Sequence, residues 1–155
     1  MGVKEEMAAL YERDFYEWTQ RTSELLRNGC LHEVDVPHIA EEIRDMGERD
    51  KREVRSRLVV LLTHLLKWQF QPELRYTESG SSSWLASINA QRRELEAIFD
   101  QSGTLNRHGR SSLAYVYRQA AKQASIETGI PMDRFPMECP YSFERVVDDG
   151  FLPAE

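Results

Sequence analysis

The chain of 155 residues has the length of one domain with room for a sizeable core. Hydrophobic residues make up 41% and charged residues 30%, the balance of a folded globular protein rather than a disordered one. With 20 basic against 26 acidic side chains the net charge is −6, so no global field favours nucleic acid or an anionic membrane, and neither is expected as a partner.

The opening segment "MGVKEEMAAL" carries charges where a signal peptide needs its apolar stretch. Gly2 after Met1 is similar to a myristoylation start, but the Ser or Thr expected at the sixth position is missing. The longest apolar window, Leu58–Leu66, is too short to span a bilayer. A cytoplasmic protein is therefore expected. Cys30 and Cys139 match no metal or redox spacing and are expected as reduced thiols.

Helical periodicity recurs along the chain, and no stretch alternates long enough to argue a strand. Met7, Tyr11, Phe15, Trp18, Thr22 and Leu25 predict a first helix that stops at Asn28-Gly29. A second helix is predicted from "VPHIAEEIRDMG", with Pro37 in its first turn and Ile39, Ile43 and Met46 on a narrow apolar side. Gly47 predicts a kink or break, and a long third helix follows from Glu48. Val54, Leu58, Leu61, Leu62, Leu65 and Trp68 form its main stripe, which makes it the central helix; Pro72 ends it.

"TESGSSS", residues 77–83, predicts a mobile loop whose last serine caps a fourth helix with Trp84, Ile88, Leu95 and Phe99 on one face. A turn is predicted at "QSGTLNRHGR", then a fifth helix with Leu113, Val116, Tyr117, Ala120 and Ala124 inward, stopped by "TGIP". The Pro- and aromatic-rich tail predicts a closing wrap with one short helix capped by Ser142. The sum is one all-α domain over 1–155, a helical bundle of four to five main helices.

Six ordered blocks, "RDFYEWTQ", "HIAEEIRDMG", "LLTHLLKWQFQP", "SWLASINAQRREL", "ETGIPMDRFPMECPYSFERV" and "FLP", together resemble a bacterial family known as domain of unknown function 29. The resemblance runs from about Tyr11 to Pro153. It implies an all-helical fold and brings no reaction, cofactor or catalytic residue.

Chemistry has few places to reside. His38, Glu41, Glu42 and Asp45 fall within one arc of roughly 100° on the second helix, a set that suits a divalent metal. A di-metal bundle also needs a matching motif on another helix, which is missing, and a solvated acidic face, with Asp45–Arg49 and Glu48–Arg52 at the i,i+4 spacing of surface pairs, is the plainer reading. His64 lies at the edge of the central stripe, in line with Arg57 and Trp68. Six residues separate Arg57 from His64, which resembles the Arg-x₄₋₆-His signature of the helical HEPN ribonucleases; there the pair acts on the RNA 2′-hydroxyl and phosphate. Leu58 stands where that signature usually has a polar residue, and Glu53 offers Arg57 an ordinary i−4 partner.

Arg92 interrupts an apolar arc and so needs a partner, expected among Glu41, Glu42, Asp45 and Glu127. It serves either as an interhelical salt bridge or as an anion-binding arginine in a pocket. The basic run "RDKREVRSR", 49–57, also holds Asp50 and Glu53 and reads as a solvated helix. No Gly-rich phosphate loop, nucleophile elbow, zinc pattern or coiled-coil heptad run is present, and no cofactor-binding residue is expected. The leading expectation is a small interaction or regulatory module without catalysis, binding a protein partner or itself. The alternatives are an enzyme whose site between helices two, three and four uses His64, Arg92 and the acidic trio Glu41, Glu42 and Asp45, with or without a metal, and an HEPN-like ribonuclease using Arg57 and His64.

Overall fold

The computed structural model describes residues 2–77 and 81–154, with Ser81 and Ser82 given as backbone only. Among them are seven α-helices and no strand. They are α1 Val3–Arg13, α2 Phe15–Arg27, α3 Val36–Phe70, α4 Ser81–Gln101, α5 Gly103–Ser111, α6 Leu113–Thr128 and α7 Phe143–Val147. Short 3₁₀ turns at Pro72–Leu74 and Met132–Arg134 complete the set. The chain divides into two compact units, residues 1–49 and 50–155.

In the first unit the expected single helix is two. Asp14 leaves helical geometry (φ −149°, ψ 88°), and its carboxylate accepts the Glu17 backbone N–H at 3.0 Å, a capping arrangement that restarts the helix. The stripe survives the break: Met7, Leu10 and Trp18 form a buried cluster against which Tyr11, Leu25 and Ile39 pack. Phe15, expected on that stripe, is exposed. Gly29 takes a left-handed conformation (φ 71°) after α2, as the Asn-Gly stop predicts.

The expected second and third helices are one. Asp35 precedes α3, its carbonyl accepting the Ile39 N–H at 3.1 Å, and the helix runs through Gly47 without interruption. A glycine costs a helix interior about 1 kcal/mol, which weakens the helix without ending it. Gly47 is solvent-exposed, and nothing lies within 4 Å of where its Cβ would be.

In the second unit Val54, Leu58, Leu61, Leu62, Leu65 and Leu66 of α3 are fully buried, so this half of α3 is central to the core as its stripe predicts. The "QSGTLNRHGR" segment is helical as α5, not a turn. Ser102 caps it by accepting the Leu105 N–H at 3.2 Å. Gly109 is buried where a Cβ would stand 3.0 Å from Phe99 Cζ and 3.3 Å from Val54 Cγ1, so this glycine permits close packing. Of the expected 77–83 loop, residues 78–80 lie outside the described set. Ser83 sits inside α4 and is not its cap.

α6 ends at Gly129 in the left-handed region (φ 75°). The tail then packs into the same core through Phe135, Tyr141, Phe143 and Val146. Ser142 caps α7 by accepting the Arg145 N–H at 3.3 Å. Tyr117 donates to Pro136 O at 2.6 Å and Tyr141 to Gln69 Oε1 at 2.6 Å, satisfying both buried hydroxyls. The closing wrap is thus part of the core. No helix among the described residues is long and apolar enough to cross a membrane.

Candidate functional site

In the first unit, the His38/Glu42 side of α3 packs on α1. His38 Nδ1 bonds the buried Asp35 Oδ2, and its ring stacks on Tyr11 with centroids 3.8 Å apart and planes 17° from parallel. The Tyr11 hydroxyl donates to Glu42 Oε1 at 2.6 Å. That bond, with desolvation and the nearby Glu charges, pushes Tyr11 up to about 12. Asp35 raises His38 above its ordinary 6.5, working against desolvation. Glu41 stays exposed and Asp45 half-exposed. Among the described residues no three His, Cys, Asp or Glu side chains gather as a metal ion would require.

This overturns the expected sidedness of the helix. The supposed solvated face is half packed, while Ile43 and Met46 are 63% and 60% exposed. Beside them a groove of about 350 Å³ runs between α2 and the first turns of α3. Trp18, Thr22, Leu26, Ile39 and Ile43 line it, with Arg27 and Glu42 as its charged members. Leu26 and Val36 are also exposed, at 43% and 56%. The sequence signal for this surface was the narrowness of the Ile39/Ile43/Met46 stripe, too thin to face a core along its full length.

In the second unit, His64 is half-buried as its edge position predicts. Its Nδ1 donates to Val60 O at 2.8 Å, because a carbonyl can only accept. Ser87 Oγ lies 3.5 Å from the same nitrogen. With its proton committed to Val60, Nδ1 has no lone pair to take one from Ser87, so the two do not make a nucleophile–base pair. Desolvation holds the imidazole below 6.5, and the Lys67 charge adds to this against the opposing effects of Val60 and Glu127. Lys67 Nζ pairs with Glu127 Oε2 at 2.6 Å, and Gln123 donates to Glu127 Oε1 at 3.1 Å. Burial raises the Glu127 carboxyl, but these bonds outweigh it and the net direction is down.

Arg57 is held by carboxylates and an amide. Its Nε donates to Glu53 Oε1 at 3.0 Å, as the i−4 spacing predicts, and its Nη1 to Gln91 Oε1 at 3.1 Å. Glu94 lies 3.8 Å from Nη2. Leu58, in the place of the signature's polar residue, is fully buried.

Arg92 is 1% exposed, as its place in an apolar arc predicts, but its partners are not the expected acids. Its Nε donates to Val146 O at 2.9 Å and its Nη2 to Arg145 O at 3.4 Å, so the guanidinium binds the carbonyl end of α7. Desolvation lowers it, and the charges of Asp148 and Asp149 work the other way. Glu127 is occupied by Lys67 instead. Ser87 and Arg92 point about 140° apart around α4, so the side chain beside His64 and the buried arginine face different neighbours.

The family described as domain of unknown function DUF29 matches residues 10–152. The chain belongs to DUF29. The match covers all seven helices except the first turns of α1, and spans both units. No curated protein and no solved structure matches this DUF29 chain.

Proposed function

We propose that this DUF29 protein is an interaction module without catalysis, and that its α2/α3 face docks onto a second copy of the chain. The observation that carries the reading is the pair Ile43 and Met46, both more than half exposed beside an apolar groove. Contiguous exposed apolar side chains of this kind mark association surfaces.

The pattern around them favours a like partner. Val36, Ile39, Ile43 and Met46 follow 3-4-3 spacing, the seam of a two-helix coil. Ala40 and Gly47, seven residues apart, line one flank with small side chains that permit close approach. Glu42 and Arg49, also seven apart, line the other. An antiparallel pairing about a two-fold axis sets Glu42 of one copy against Arg49 of the next, twice per dimer.

Arg49→Glu tests that register. Light-scattering mass should show a weaker dimer than the parent, by up to about tenfold in Kd, since two flank pairs change from attractive to repulsive at exposed positions. Unchanged dimerisation would contradict the antiparallel pairing.

A further inference from the structure

The basic run of α3 is divided by the fold into two kinds of arginine. Arg57 turns toward α4 and meets Glu53 and Glu94. Arg52 and Arg55, three residues apart, face α6 instead, where no carboxylate of a described residue pairs with either. Among the described residues Arg55 bonds His108 there, whose Nε2 accepts from Nη1 at 3.1 Å. A guanidinium can only donate, so that nitrogen offers its lone pair and brings no compensating charge.

Between α3 and α6 these arginines line a cavity of about 380 Å³ with Ser56, Tyr115, Gln119 and Gln123. Tyr115, Gln119 and Gln123 recur at i, i+4 and i+8 on α6 and form one continuous wall. Among the described residues no acid lines the cavity, in a chain where acids outnumber bases 26 to 20. The nearest carboxylate on that wall, Glu127, already holds Lys67 and the Gln123 amide. Two guanidinium forks, two hydroxyls and two carboxamides present mainly donors around the space.

We propose that the α3/α6 cavity binds a small phosphate-bearing anion. Two uncompensated guanidiniums balance a dianion and can grip its oxygens in pairs, which a single carboxylate would satisfy less fully. The hydroxyl and amide groups satisfy the remaining oxygens, and the exposed Tyr115 ring gives an attached organic body a surface to lie on. This site is built from other residues than the α2/α3 docking face, and either reading can fail without the other.

The test is calorimetric titration of the full chain with inorganic pyrophosphate in about 150 mM salt, where unspecific surface pairing is screened. Adenosine monophosphate serves in parallel as a phosphate with an aromatic body. Saturable binding of one ion per chain is expected, weakened about tenfold or more by Arg52→Gln and by Arg55→Gln. Arg118→Gln, an exposed arginine of α6 outside the cavity, should leave it unchanged. Arg52 is exposed, so its variant tests the site even where the half-buried Arg55 variant loses stability. Absence of saturable binding of either probe overturns the proposal. So does an equal loss in all three variants, which would mean diffuse charge rather than a site.

Discussion

Arg92→Met isolates what the buried guanidinium does. Methionine keeps most of the length and apolar stem while removing both donors, so the Val146 carbonyl loses the bond at 2.9 Å and Arg145 the one at 3.4 Å. Leaving a buried carbonyl unsatisfied costs roughly 1–3 kcal/mol, and the longer second bond adds less. Relief of the guanidinium's own desolvation offsets part of this. A net loss of about 2 kcal/mol is expected, equivalent to about 4–8 °C in Tm for a chain of this length. Arg92→Ala adds a cavity and should cost about 4 kcal/mol. Urea unfolding followed by circular dichroism gives the free energies, and hydrogen exchange at residues 143–147 shows where stability is lost. An Arg92→Met protein as stable as the parent, with α7 amides equally protected, would refute the assignment of Arg92 to holding α7.

Gly47→Ala should stabilise the protein by about 1 kcal/mol, because the position is helical, exposed and open to a methyl group; a lower denaturation midpoint would mean that glycine is required there. Gly109→Ala should cost about 1–3 kcal/mol through collision with Phe99 and Val54, and calorimetry that finds no loss would show that α5 can shift freely. The two perturbed histidines give opposite pH dependence. His64 is held below 6.5, so the unfolded chain binds its proton more readily; the stability it contributes is full above pH 6.5 and is lost as pH falls through the lowered folded value. His38 is raised by Asp35, so its contribution is full below pH 6.5 and is lost as pH rises through the raised value. Stability measured from pH 5 to 8 should flatten on the acid side in His64→Gln and on the neutral side in His38→Gln, and a shared slope in both variants would contradict these opposite roles.

The central stripe of α3, the Gly129 stop and the Ser142 cap were legible because each is a local pattern with a local cause. The break at Asp14 is equally local, but the continuous apolar stripe on either side of it masks a capping residue. Gly47 and α5 misled in opposite directions: glycine weakens a helix without deciding its fate, and in α5 Gly109 packs against Phe99 and Val54 inside a helix. The burial of Arg92 followed from its place in an apolar arc, yet its partners are backbone carbonyls, which no pattern of side chains can reveal. The same limit hid the α3/α6 cavity, since the sequence spreads positive charge round the helix along 49–57 and only the placement of α4 and α6 separates arginines that meet carboxylates from those that do not. At His38 and Glu42 the spacing placed the residues on one arc correctly, while the contact with Tyr11 reassigned that arc to packing.

Association through the α2/α3 face is tested by sedimentation equilibrium of the parent chain and Ile43→Glu. Full burial of an isoleucine contributes roughly 1.5–3 kcal/mol, and 63% of Ile43 is available in each of two copies. Its removal should therefore cost the dimer about 2–4 kcal/mol, a loss of about thirtyfold to several hundredfold in Kd, with a buried carboxylate adding to it. The parent is expected to reach twice the chain mass at micromolar concentration, and the variant to stay at the mass of one chain with the same helix content. A parent that remains monomeric at about 100 μM, or a variant that dimerises equally well, would contradict it.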